Sequence, residues 1–147
     1  MPAYEYRITR RRRQDGTSKA GTPESAARYL VEHCYKEEQM WRENAYVLLL
    51  DADNSVLGYS LLSVGGTNCT TIDTKMLATV AVRTFARSVI LSHNHTSGNA
   101  APSQVDIRQT EKAKQALSLL DIKLFDHIII ADGKAYSFSE EKTFTIK

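Results

Sequence analysis

The chain has 147 residues, 42% hydrophobic and 24% charged, which is the size and composition of one globular domain with a proper core. Its formal net charge of +2 is too small to imply a polyanionic partner, and no apolar run approaches the ~20 residues that cross a bilayer. Cys34 and Cys69 stand alone, without CxxC spacing, which excludes a thiolate zinc site or a disulfide framework; with no apolar stretch and cleavage site in MPAYEYRITRRRR, a cytoplasmic protein is expected.

In chain order, residues 1–21 read as an N-terminal arm. Tyr4 to Thr9 alternates weakly, as an edge strand would, Arg10 to Arg13 is a basic run, and Gln14 to Gly21 is a polar linker. The domain, residues 22–147, opens at Thr22-Pro23-Glu24-Ser25, which offers an N-cap, proline at the first helical position and acid in the first turn. Ala26, Ala27, Leu30, Val31 and Cys34 then recur at helical spacing and predict a helix to about Glu38. Tyr46 to Leu50 is an unbroken apolar run, suited to a strand buried on both faces. Asp51 to Asn54 supplies turn residues, Val56 to Val64 reads as the partner strand of a hairpin, and Gly65-Gly66-Thr67-Asn68 ends it.

A second helix is expected over Thr74 to Ala86, with Leu77, Val80, Ala81 and Phe85 on its apolar face. Ser88 to Ser92 is another buried strand that runs directly into His93-Asn94-His95. A polar loop to Pro102 and a third helix from Ser103 to about Leu120 follow. Ile122 to Leu124 and Ile128 to Ile130 read as further strands, and Asp132-Gly133 as a hairpin turn into a last strand, Ala135 to Ser139. No internal repeat interrupts this order, which predicts an α+β fold: a mixed sheet flanked by helices.

The chemistry concentrates between His93 and Asp106. Two histidines two apart at a strand end can meet on one ion if the chain leaves the extended form between them. Asp106, in the first turn of the next helix, can point its carboxylate back at them. Two imidazoles and one carboxylate leave a fourth tetrahedral position for water, the layout of a catalytic zinc site rather than a structural one. A plainer reading exists for each residue: Ser103-x-x-Asp106 is also a capping pattern, and paired histidines at a strand end can simply be hydrogen-bonded polar residues. The two histidines and the acid together, between a hydrophobic strand and a helix start, favour the metal. A hydrolase of this kind also needs a base to take the proton from water, and Glu43, just before the buried strand, is the candidate. Spacing alone does not choose it over Glu37 or Glu38.

This arrangement resembles the JAMM (MPN+) motif: a Glu, then H-x-H, seven residues, then S-x-x-D. His93 and His95 are followed by Thr96 to Pro102, Ser103 and Asp106 without a gap. The wording His93-Asn94-His95, Ser97-Gly98 and Pro102-Ser103-x-x-Asp106-Ile107, with Asp126-His127-Ile128-Ile129-Ile130 further on, resembles the RadC family more than the deubiquitinase branch. The likeness implies a JAB/MPN fold similar to that of cytidine deaminases, with a mostly antiparallel sheet. It implies zinc (Zn2+) held by His93, His95 and Asp106, with Glu43 as catalytic base and Ser103 donating a hydrogen bond to the oxyanion. Thr96 stands where RadC-like sequences have Pro, a change that removes no ligand. Longer RadC relatives carry a helix-hairpin-helix region ahead of this domain, and only about twenty residues precede Thr22 here.

Several further residues carry weaker signals. Asp126 and His127 are the best candidates to support the metal-binding histidines from behind, since such histidines usually pass their second nitrogen to a carboxylate or carbonyl. His33 lies on an amphipathic helix and reads as structural or exposed, and Trp41 and Tyr46 read as core. The leading function is a zinc metallopeptidase acting on a peptide or protein substrate through its amide or isopeptide bonds. A DNA-repair-associated protein, from the RadC likeness and the Arg run, and a metal-binding scaffold without turnover are the alternatives. Nucleic-acid binding is expected to be weak at most, because Arg10 to Arg13 could neutralise about four phosphates. No membrane association is expected, and the oligomeric state is left open.

Overall fold

The computed structural model describes residues 2–5, 18–36, 40–65 and 71–147. Tyr4 and Glu5 lie in no regular element; the remainder of the expected edge strand to Thr9, the Arg10 to Arg13 run, Glu37, Glu38, Gly66 to Asn68 and Cys69 lie outside the described residues.

Helix α1 spans Pro23–His33. Its start is a reciprocal cap: Ser25 N donates to Thr22 Oγ1 (3.1 Å) and Thr22 N to Ser25 Oγ (3.1 Å). It ends short of the expected Glu38, because Cys34 and Tyr35 turn into the core and both donate their backbone N–H to Leu30 O. The Tyr35 hydroxyl then reaches Ser92 Oγ at 2.9 Å. Strands β1 (Asn44–Leu50) and β2 (Val56–Val64) form the expected antiparallel hairpin. Residues 18–20 close against it: Val56 N donates to Ser18 O (2.8 Å), Ala20 N to Asn54 O (3.0 Å), and Ala20 is fully buried.

Helix α2 (Thr74–Arg83) starts at an Asp73 cap and stops before the expected Ala86. Thr84 Oγ1 turns back to Val80 O at 2.8 Å, and Phe85 takes a left-handed φ of 57° that throws its ring into solvent. Ala86, not Phe85, fills the core there. Strand β3 (Ser88–Asn94) is buried throughout and runs two residues further than expected. Helix α3 (Gln104–Ser118) follows, capped by Ser103. The two strands expected after it are one, β4 (Lys123–Ala131), with a bulge at Phe125. The polar pair Asp126 and His127 does not break it because both have buried hydrogen-bond partners. Asp132 (φ 36°) and Gly133 (φ 75°) make the tight turn into β5 (Lys134–Ser137). A sixth strand, β6 (Lys142–Thr145), was not expected, since Lys-Thr-Phe-Thr has no apolar run to announce it.

The sheet order is β2-β1-β3-β4-β5-β6, antiparallel at every step except β3–β4, which α3 joins as a parallel crossover. This is the α+β architecture expected. Alternation sends Leu48, Leu50, Ile90, Ile128 and Ile130 to the α1 face, and Val47, Leu49, Val89 and Leu91 to the face covered by α2 and α3. His93 continues that second row at the end of β3, where the apolar core stops and α3 begins. Among the described residues no helix is long and apolar enough to cross a membrane.

Candidate metal centre

The carboxyl end of a parallel strand followed by a crossover helix is where open sheets commonly carry their sites. Here it brings together the three side chains singled out from the sequence. Ligand-type atoms of His93, His95 and Asp106 all lie within 4.8 Å of one another. His93 Nε2 is 3.0 Å from His95 Nε2 and 3.2 Å from Asp106 Oδ1, and His95 Nε2 is 3.1 Å from Asp106 Oδ2.

Local structure explains the convergence. His93 points inward as a strand residue, while His95 N still donates to Ile130 O (2.9 Å) before the chain curls away. The curl, with Gly98 at φ 78°, returns Asn99 O to 2.8 Å from His95 Nδ1. Asp106 sits at the third position of α3, where Ser103 N donates to its Oδ2 (2.8 Å) and its own N donates to Ser103 Oγ (3.1 Å). The cap and the cluster are therefore one structure: the bond that starts the helix also aims the carboxylate.

The charges agree with a cation site. Burial opposes ionisation of Asp106, but its contacts with His93 and His95 outweigh this and hold the carboxyl far below the usual range. Burial likewise disfavours a charged His95, yet hydrogen bonds to Asp106 and Asn99 and the charge of Glu43 raise its proton affinity. Because a carbonyl only accepts, Asn99 O fixes the His95 proton on Nδ1 in the neutral ring, leaving the Nε2 lone pair facing Asp106. Two imidazoles and one carboxylate, with His93 and Asp106 buried and His95 partly exposed, fit a metal ion with an open position.

Glu43 lies outside the trio but is buried and immediately precedes β1, whose Ala45 pairs with His93. Its segment is tied to the strand end by Asn94. That side chain points to the opposite face from His93, accepts from Asn44 N (2.8 Å) and donates to Arg42 O (3.0 Å). Asn94 carried no signal beyond being the middle residue of H-x-H.

The two candidates on β4 separate. His127 Nε2 is 2.8 Å from His93 Nδ1, as expected of a supporting residue. Asp126 serves the neighbouring strand instead: its carboxylate accepts from Ser137 Oγ (2.6 Å), His127 N (2.7 Å) and Ser139 N (2.9 Å), holding the end of β5, and burial raises its pKa. Thr110, unremarked in the sequence, is 2.6 Å from His127 Nδ1. Its signal was its place four residues after Asp106 on the buried stripe of α3. Trp41, expected in the core, is 62% exposed with the Arg42 guanidinium over its ring at 4.6 Å. Tyr46 is half-buried against Tyr35, and His33 is exposed beside Tyr29.

A family model described as the RadC-like JAB domain matches residues 20–143. The chain belongs to this family. Similar to it are UPF0758 proteins of Flavobacterium johnsoniae (40% identity, 69% of this chain and 44% of the relative) and Porphyromonas gingivalis (40%, 71% and 44%). That of Desulforudis audaxviator is 38% identical over 84% of this chain and 52% of its own length. The RadC-like JAB domain thus spans about half the length of the curated relatives it matches.

Proposed function

We propose that this RadC-like JAB domain is a zinc-dependent hydrolase of amide bonds, peptide or isopeptide, in an extended segment of another protein. One observation carries the reading: His93, His95 and Asp106 converge at the mouth of β3 with their ligand-type atoms within 4.8 Å of one another. These three would hold the ion. Zinc bound by three such residues lowers the pKa of water to about 7 and polarises a carbonyl oxygen.

The protein's own groups supply the rest. Glu43, buried and close enough to influence His95, would accept the proton of the attacking water and return it to the leaving amine. Ser103 Oγ accepts from Asp106 N, so its proton is available to donate to the oxyanion that forms as the carbonyl is attacked. Asn94 would fix Glu43 relative to His93 through its two backbone bonds. The donor types favour zinc over magnesium or calcium, which prefer all-oxygen sites.

The test is Glu43→Gln, assayed on a library of quenched fluorescent peptides and isopeptide-linked conjugates. The variant is expected to retain zinc while hydrolysis falls about 10²–10⁴-fold, the usual share of one general base. Undiminished turnover in Glu43→Gln would remove Glu43 from the chemistry.

A further inference from the structure

We propose that His127, oriented by Thr110, is the positioning residue of the metal centre, fixing His93 as the tautomer whose Nε2 lone pair faces the ion. The proposal rests on the metal reading of the three residues above.

The direction of the hydrogen-bond chain can be read from its end. Thr110 Oγ1 lies 2.7 Å from the backbone carbonyl of Asp106 and 2.6 Å from His127 Nδ1. A carbonyl oxygen only accepts, so the single hydroxyl proton of Thr110 goes to Asp106 O. Thr110 Oγ1 must then accept, and His127 Nδ1 carries the proton. The neutral ring that results has a bare Nε2, which accepts from His93 Nδ1 at 2.8 Å. With its proton on Nδ1, His93 presents a bare Nε2 toward His95 Nε2 and Asp106 Oδ1. Reversing every proton would leave two oxygens, of Thr110 and Asp106, 2.7 Å apart with none between them.

The same polarity holds on the other side, where Asn99 O keeps the His95 proton on Nδ1. The two Nε2 atoms and the carboxylate therefore face one another with lone pairs, an arrangement that a cation satisfies. His127 is suited to the task by its surroundings. It is fully buried, Phe138 stacks on its ring (4.8 Å, 11°), and neighbouring Leu91 and His93 belong to the strand it pairs with. Thr110 starts the chain on the backbone of Asp106 itself, so two of the three metal-facing side chains are locked into one unit.

Zinc affinity by chelator competition, compared among wild type, Thr110→Val and Thr110→Ser, tests this directly. Thr110→Val keeps the volume but loses the hydroxyl and is expected to bind zinc about 10–100-fold more weakly, while Thr110→Ser restores wild-type affinity. In the imidazole nitrogen NMR spectrum of metal-free wild type, His127 is expected to carry its proton on Nδ1. Equal affinity in the Val and Ser variants, or a His127 protonated on Nε2, would overturn the proposal. Should wild type bind no zinc, the metal reading fails, and the spectrum still decides the polarity of the relay.

Discussion

Asp106 shows how much one residue carries in this domain. Its carboxylate closes the cap of α3, contacts both histidines, and its backbone carbonyl anchors Thr110. Without metal, the Asp106–His95 contact is an ion pair whose effect on stability has a definite sign. His95 has a raised pKa, so its contribution is fully present below about 6.5 and is lost as pH rises through the folded value. Asp106 is depressed, so its contribution is present above 3.8 and lost as pH falls through its folded value. Chelator-treated protein is therefore expected to lose melting temperature as pH rises from about 6 to 8, and His95→Gln to flatten that loss. Zinc-loaded protein should show the opposite trend, since zinc binds the deprotonated side chains. A metal-free melting temperature as steep in His95→Gln as in wild type would contradict the pairing.

Among the helices, starts were legible and the ends of α1 and α2 were not. The caps at Thr22 and Ser103 are written in side chains that bond their own turn, so they survive any tertiary context. The ends of α1 and α2 are set by where Tyr35 and Ala86 find room in the core, which periodicity does not contain. The spacing of His93, His95, Ser103 and Asp106 was legible for the same local reason. Of the residues behind them, His127 was singled out with Asp126, but only register separates the two, with Leu91 opposite His127; Asn94 was not, because it acts through its place against the segment leading into β1. Asn94→Ala would leave the Asn44 N–H and the Arg42 carbonyl without that partner, at about 1–3 kcal/mol for each group left unsatisfied. The expected result is a lower melting temperature and slower hydrolysis with zinc content unchanged, measured by calorimetry, peptide assay and metal analysis. A loss of zinc equal to the loss of turnover would mean that Asn94 supports His93 and not Glu43.

At the scale of the molecule, a six-stranded sheet with one parallel step places the proposed centre where β3 gives way to α3, at the limit of the apolar core. His93 and His127 are buried in the core, while His95, at the head of the loop to Pro102, stays partly exposed. The relatives extend well beyond the matched region, which covers 44% of the length of those from Flavobacterium johnsoniae and Porphyromonas gingivalis. The fold and the convergent trio are common ground for all three functions raised by the sequence; bound metal separates the metal-dependent readings from the rest. The most direct measurement is metal content of purified protein by mass spectrometry, for wild type, His93→Ala and Asp106→Ala. About one zinc per chain in wild type is expected, with most of it gone from both variants, as for a site needing all three protein donors. Undiminished zinc in His93→Ala, or wild type that takes up none when zinc is supplied, would contradict the assignment of the centre.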